Sequence, residues 1–176
     1  MIENIEAILL TGGASRRMGM DKAKILVEGE ELAARIARLL SEAGVSVTIC
    51  GRVRIGDYGF QRDSEEFAGP LAALAGFEPS RDFVFVASCD LIGFNAAIVE
   101  MLVDCLGGHD GAVPTLEGRL QPLCALYCAR AIVAARTLSS SGERRVMRWI
   151  DGLDVVAVPD INSSWIANAN TPEDIR

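Results

Sequence analysis

The feature that most constrains the fold is the apolar run Phe83–Val86, inside the segment Asp82–Ser88. Its residues are all β-branched or aromatic, so the run is too apolar to leave one face in water. A strand buried on both faces belongs to a sheet that is covered by helices on both sides. The apolar segments Ile5–Leu10 and Val45–Cys50 predict two more strands of the same sheet.

Segments with helical spacing alternate with these strands. Apolar residues in Glu30–Glu42 recur at helical spacing, and the pattern stops at Ala43-Gly44. An irregular stretch follows Cys50 to about Glu66. Further helices are expected at Leu71–Phe77, Asn95–Leu106, Ala129–Leu138, Glu143–Asp151 and from Thr171, and further strands at Gly111–Pro114, Pro122–Cys128 and Val155–Val158. The alternation predicts an α/β sandwich with a mostly parallel central sheet, in a single domain over residues 1–176.

The composition of the chain argues against several classes of partner and location. The net charge of −7 argues against a nucleic-acid partner, because polyanion binding needs a basic face. No apolar run approaches the roughly 20 residues that cross a bilayer, and the N-terminus carries no signal-peptide pattern. We therefore expect a cytoplasmic protein that does not contact membranes. Its five cysteines are expected to be mostly buried, reduced thiols, and its single histidine, His109, a solvated loop residue.

A glycine-rich loop follows the first predicted strand, in the segment Leu10–Lys22. Such a turn lets backbone N–H groups surround phosphate oxygens, and here it also carries Arg16, Arg17 and Lys22. The spacing matches neither the dinucleotide G-x-G-x-x-G pattern nor Walker A. Because the carboxyl ends of parallel strands share one edge of a sheet, Asp90, just after the predicted Asp82–Ser88 strand, should lie near this loop. The two features predict a triphosphate site in an enzyme that acts on nucleotides.

The loop resembles the opening motif of the molybdenum cofactor guanylyltransferases and their nucleotidyltransferase relatives. The resemblance continues in order along most of the chain. It includes Gly69–Leu74, Ala87–Asp90, Arg119–Tyr127, Gly142–Met147 and Asn168–Asp174. The Gly142–Met147 segment favours the guanylyltransferase branch over cytidylyl or sugar-nucleotide relatives.

The resemblance implies a Rossmann-like fold of the nucleotide-diphospho-sugar transferase type and transfer of GMP from GTP to the terminal phosphate of molybdopterin, with release of pyrophosphate. It implies catalytic roles for Arg17, Lys22 and Asp90, with Asp90 holding Mg²⁺. The implied nucleotide contacts are Leu10, Thr11, Gly12, Gly13, Lys22, Cys50, Asp63, Gly69 and Asp90. The implied pterin contacts are Arg119, Arg144, Arg145, Asn168 and Asn170. Thr11 and Cys50 depart from the family pattern, which often has Ala and Asn there.

Two alternatives stay open at this point. The first is the same chemistry with CTP, or with a sugar or alcohol phosphate as acceptor. The second is a nucleotide- or cofactor-binding partner module without catalysis, although the presence of Arg17, Lys22 and Asp90 argues against it. With the guanylyltransferase interpretation, we also expect transient contacts with proteins that deliver or accept the cofactor.

Overall fold

Strands and helices alternate along the chain, as the sequence predicts. The structure is a computed structural model and describes residues 2–12, 25–63, 69–159 and 161–168. Its strands are β1 Ile5–Leu10, β2 Leu26–Val27, β3 Glu30–Glu31, β4 Ser46–Gly51, β5 Gly59–Arg62, β6 Phe83–Ser88, β7 Gly111–Leu116, β8 Arg119–Leu120, β9 Cys124–Cys128 and β10 Val155–Val158. Its α-helices are α1 Leu32–Glu42, α2 Pro70–Gly76, α3 Ala97–Leu106, α4 Ala129–Ser140, α5 Val146–Ile150 and α6 Ser163–Ile166.

The central sheet is mostly parallel, with one reversed strand in its middle. Its order is β10-β7-β9-β6-β1-β4-β5, and β8 extends it by pairing with β7. β1 runs parallel to both β4 and β6, so Leu10 lies beside Cys50 on one side and Ser88 on the other. β9 is antiparallel to β6 and to β7. The C-terminal ends of β1, β4 and β6 therefore share one edge with the start of β9.

Helices cover both faces of this sheet. On one face, Ala7 and Leu9 of β1 belong to a buried cluster with α1 and α3. On the other face, Ile8 and Leu10 belong to a cluster with α2, α4 and α5. The four middle residues of β6 are fully buried, which confirms that this strand has no exposed face. Sheet burial on two sides leaves the strand ends as the place for chemistry.

Several elements differ from the sequence-based expectations. The stretch expected to be irregular contains β5, which forms by pairing with β4 along Thr48–Gly51. The two residues expected to begin the first helix, Glu30 and Glu31, instead form strand β3, which pairs with β2, and α1 begins at Leu32. Helix α5 begins at Val146 rather than at Glu143, and the short strand β8 and helix α6 are additional. The helix expected from Thr171 lies outside the described residues.

The cysteines and the histidine also have defined environments. All five cysteines lie in the described ranges and form no disulfide with one another; four are buried and Cys105 is exposed. The expectation of mostly buried, reduced thiols is thus confirmed. His109 is only partly exposed, and its Nδ1 lies 3.1 Å from Asp154 Oδ2. None of the helices in the described ranges has the length and apolar character that crossing a bilayer requires.

Candidate functional site

The end of β1 is joined to the end of β4 by a threonine. The Thr11 N–H donates to the Cys50 carbonyl oxygen at 2.8 Å, and the Thr11 hydroxyl donates to the same oxygen at 3.2 Å. A Cβ on Gly51 would overlap the Thr11 Oγ1. Thr11 therefore holds the two strand ends together, and the absence of a side chain on Gly51 makes room for its hydroxyl.

Asp63 lies against the same strand ends. Its N–H donates to the Gly51 carbonyl oxygen at 3.1 Å, and a Cβ on Gly12 would overlap its Oδ2. Burial raises the pKa of the half-buried Asp63 carboxyl, and the Arg52 guanidinium opposes this by lowering it. The sequence places Asp63 at this site only by resemblance, and the structure brings it into contact with Gly12.

The Cys50 side chain points away from this surface. It is 1% exposed and packs in the buried cluster with Ile8, Leu10 and Leu71. Burial, and secondarily the charge of Asp63, raises the pKa of the Cys50 thiol to about 12, so the thiol stays neutral. Cys50 thus contributes its backbone carbonyl to the strand-end contact, while its side chain belongs to the core.

A cavity of about 250 Å³ opens beside β6 at the same edge of the sheet. Its lining residues are Ser88, Asp90, Leu91, Gln121, Pro122, Leu123, Cys124 and Asn168. The Ser88 hydroxyl donates to Asp90 Oδ1 at 2.7 Å. Asn168 reaches the cavity because it forms an isolated antiparallel bridge with Leu91. The Cys89 N–H donates to the Leu10 carbonyl oxygen at 3.1 Å, which ties this cavity to the end of β1.

The oxygen atoms around this cavity suit a hard divalent cation. Asp90 and Asn168 supply a carboxylate and an amide oxygen, and the Asn168 Oδ1 is buried with no hydrogen-bond partner in the described part of the chain. Within the described ranges, no three His, Cys, Asp or Glu residues cluster as a metal-binding group. Mg²⁺ is bound in proteins by only one or two carboxylates, with the remaining positions filled by phosphates and water. The donors present fit that pattern.

A second basic segment approaches the start of α2. Glu143 Oε1 accepts from the N–H groups of Arg144 and Arg145 at 2.9 and 3.0 Å. The Arg145 guanidinium donates to both Glu143 oxygens, at 3.1 Å from Nε and 2.9 Å from Nη2. This hydrogen bonding, led by the Arg145 side chain, lowers the pKa of Glu143 to about 2. A Cβ on Gly69 would stand 4.0 Å from the Arg144 carbonyl oxygen, so the segment lies beside the first turn of α2.

The residues predicted from the sequence fall into separate groups. Leu10, Thr11, Gly12, Cys50 and Asp63 meet at one strand-end surface. Asp90 and Asn168 line the neighbouring cavity, and Arg119 is connected to it because Gln121 Nε2 donates to the Arg119 carbonyl oxygen at 3.1 Å. Gly69, Arg144 and Arg145 form a third group that does not line this cavity in the described part of the chain. The predictions at Gly13, Arg17, Lys22 and Asn170 lie outside the described residues.

Three residues of these surfaces were not singled out from the sequence. Ser88 contacts Asp90, Gln121 lines the cavity, and Glu143 organises the two arginines that follow it. Each stands inside a motif that carries the family resemblance. Ser88 could have been predicted to contact Asp90, because it is a polar residue two positions before the predicted metal ligand.

Comparisons with known proteins agree with this architecture. A family profile described as "MobA-like NTP transferase domain" matches residues 7–156. The solved structure of molybdopterin-guanine dinucleotide biosynthesis protein A from Archaeoglobus fulgidus superposes with a TM-score of 0.78 at 23% identity, covering 97% of this chain and 94% of that one. The fold is thus that of the nucleotidyltransferases with a mostly parallel sheet and flanking helices.

Curated relatives narrow the class to one family. A protein of Opitutus terrae named "probable molybdenum cofactor guanylyltransferase" is 33% identical, covering 94% of this chain and 90% of its own. The "molybdenum cofactor guanylyltransferase" of Rhodobacter capsulatus is 31% identical, covering 97% of this chain and 93% of its own. The chain is a nucleotidyltransferase and belongs to the MobA-like NTP transferase family.

Proposed function

We propose that this enzyme transfers GMP from GTP to the terminal phosphate of molybdopterin and releases pyrophosphate. The observation that carries the proposal is the edge shared by the strand-end loop and the Asp90 cavity, which are joined by the Cys89–Leu10 hydrogen bond. A nucleotide on the first surface and an acceptor in the second would meet at that junction. The names of two relatives at 33% and 31% identity support the choice of substrates.

The strand-end surface is the proposed nucleotide side. Of the segment Leu10–Gly13, the backbone N–H groups of the two glycines are proposed to meet phosphate oxygens, because a glycine-rich turn allows close approach. Leu10 and Thr11 hold the turn in place, since Leu10 pairs inside the sheet and the Thr11 N–H donates to the Cys50 carbonyl oxygen. Arg17 and Lys22 would oppose the negative charge that develops on the departing pyrophosphate. The Asp63 carboxylate can accept from both N1–H and N2–H of guanine. The buried Cys50 thiol leaves this recognition to Asp63 and the backbone.

Mg²⁺ is proposed to bind at Asp90, beside Ser88 and Asn168. When bound, it would supply positive charge against the phosphates. The chain's own residues do the rest by positioning, because an acceptor phosphate is already ionised at neutral pH and needs no general base. Gly69 at the start of α2 completes the proposed nucleotide contacts.

The acceptor side is proposed to comprise the Asp90 cavity, Arg119 and the basic segment beside the start of α2. Arg119, Arg144, Arg145, Asn168 and Asn170 are the proposed pterin contacts. Arginine suits a phosphate because its planar guanidinium donates two parallel hydrogen bonds. We further propose a cytoplasmic location and transient contacts with proteins that deliver or receive the cofactor.

The deciding measurement is pyrophosphate release with GTP or CTP, each with and without molybdopterin, during a Mg²⁺ titration. The proposal expects release that requires GTP, molybdopterin and Mg²⁺ together. Strict use of CTP would overturn the choice of nucleotide. Binding of GTP without release under any condition would instead support a partner module that lacks catalysis.

Asp90→Asn tests the proposed catalytic centre directly. The substitution keeps the shape but removes the charge, so we expect pyrophosphate release to fall on the order of a hundredfold or more. Thermal unfolding of the variant checks that the fold is intact. Unchanged turnover in Mg²⁺ would contradict the assignment of Asp90.

A further inference from the structure

The hydrogen bond between the Ser88 hydroxyl and Asp90 Oδ1, at 2.7 Å, links a strand residue to the proposed metal ligand. We propose that Ser88 is a positioning residue that fixes the Asp90 carboxylate in the orientation that binds the divalent cation. This inference rests on the proposed function, since that function gives Asp90 its metal. Ser88 itself is assigned no contact with the substrates.

Ser88 is the fixed member of the pair. It is the last residue of β6, where its N–H donates to the Leu123 carbonyl oxygen at 2.8 Å, and it lies in register with Leu10 of β1. It is thus held between two strands. Asp90 lies two residues further on, in a turn beyond the strand. Because the Ser88 hydroxyl is anchored, its hydrogen bond restricts the orientation of the Asp90 carboxylate on the turn.

A hydroxyl is also the right kind of donor for this task. A carboxylate has about four acceptor positions on its two oxygens, so one bond from Ser88 uses only part of that capacity. Arginine or lysine in the same place would oppose the negative charge that attracts the cation. Serine fixes the carboxylate and leaves its charge in place, as partners of metal ligands commonly do.

At the opposite edge of the sheet, Ser80 and Glu6 form a second hydrogen bond between a serine hydroxyl and a carboxylate, which serves as a control for the Ser88–Asp90 bond. Glu6, which is 6% exposed, accepts from the Ser80 hydroxyl at 2.9 Å and from the Ser80 and Arg81 N–H groups. That carboxylate is buried and satisfies the turn before β6. The half-buried Ser88 and Asp90 instead line an open cavity. Ser80→Ala therefore removes the same type of bond without touching the proposed site.

The experiment compares Ser88→Ala, Ser88→Thr and Ser80→Ala with the wild type. Mn²⁺ affinity is measured by electron paramagnetic resonance with GTP present, and the Mg²⁺ concentration at half-maximal pyrophosphate release is measured in parallel. We expect Ser88→Ala to weaken Mn²⁺ binding and to raise the Mg²⁺ requirement, each on the order of tenfold. Ser88→Thr, which keeps the hydroxyl, and Ser80→Ala should stay near the wild type.

Equal Mn²⁺ affinity in Ser88→Ala and the wild type would overturn the inference. If Ser88→Ala does not fold, Ser88→Cys keeps a side chain of similar size with only a weak donor and should show the same loss. Absence of pyrophosphate release in the wild type would count against the proposed function. The Mn²⁺ measurement still decides the role of Ser88 in that case.

Discussion

Two glycines at the strand-end surface are required by the side chains that approach them. Gly12 gives room to the Asp63 carboxylate, and Gly51 gives room to the Thr11 hydroxyl. In both cases a methyl group would occupy space that an oxygen atom already fills. These glycines therefore serve close approach, which differs from the use of glycine for a positive φ in turns.

Gly12→Ala should displace the Asp63 carboxylate and weaken GTP binding. We expect the KM for GTP to rise roughly tenfold with a smaller change in kcat, because about 1.4 kcal/mol of recognition energy corresponds to a factor of ten. Steady-state kinetics measures the split, and thermal unfolding checks the fold. Gly108→Ala is the matched control, since a Cβ there would meet nothing within 4 Å. An unchanged KM in Gly12→Ala would contradict the role given to Asp63.

Sequence reasoning located this surface but could not supply its contacts. The motif places Thr11 and Gly12 after a buried strand, and the structure confirms that they lie at the end of β1. Successive side chains of a strand point to opposite faces of the sheet, so Ile49 and Cys50 of β4 pack in different buried clusters. The direction of the Cys50 side chain follows from its position in this alternation. The contact of Asp63 with Gly12 depends on β5 pairing with β4, which its own sequence does not reveal.

At the scale of elements, the segment before α5 is organised by one glutamate. Glu143 accepts from two backbone N–H groups and from the Arg145 guanidinium, so residues 143–145 form a loop instead of a first helical turn. The sequence predicts a helix from Glu143 because the charges and the spacing of residues there are compatible with a helix. The helix instead begins at Val146, because the Glu143 side chain accepts hydrogen bonds from the backbone N–H groups of Arg144 and Arg145.

Glu143→Gln should loosen this loop and affect the acceptor side more than the nucleotide side, which the loop adjoins only at Gly69. Glutamine is neutral and replaces one acceptor oxygen with an amide donor, so we expect the KM for molybdopterin to rise roughly threefold to tenfold while the KM for GTP changes less than about twofold. Glu78→Gln, which removes the charge of an exposed glutamate that is also paired with an arginine, is the control. A parallel rise of the KM for GTP would contradict the separation of the two sides.

The low pKa of Glu143 fixes the sign of its pH dependence. Because the pKa is lowered from 4.5 to about 2, the stabilisation from its ionised form is present above the ordinary value and is lost as the pH falls toward 2. The loop should therefore stay ordered throughout the neutral range.

At the scale of the whole molecule, stability rests on the two clusters on either face of the sheet. Leu102 of α3 is fully buried in one of them, whereas its neighbour Met101 is 39% exposed. Leu102→Ala should lower the free energy of unfolding by about 2–5 kcal/mol, through lost burial and a residual cavity. Met101→Ala should change it by less than about 0.5 kcal/mol. Urea unfolding compares the two, and equal effects would contradict this division.

The mostly parallel sheet was predictable from alternating apolar runs and helical segments, and the reversal of β9 was not inferred. The connection between β7 and β9 covers residues 117–123, which is shorter than the dozen or so residues that a parallel crossover needs. The short length of this connection therefore indicates that β9 runs antiparallel to β7. The apolar pattern indicates burial for the long central strands, whereas the direction of a strand follows from how the chain returns to the sheet.

The reversal of β9 has an evolutionary consequence. Because β9 runs against β6, residues that lead into β9 line the Asp90 cavity, while the strand-end surface is made by residues that leave β1 and β4. On the proposed function, the residues that lead into β9 belong to the acceptor side, and they can change without altering the residues that leave β1 and β4. We therefore expect relatives that act on a different phosphorylated acceptor to differ first in the turn into β9, while the residues that follow β1 and β4 stay the same.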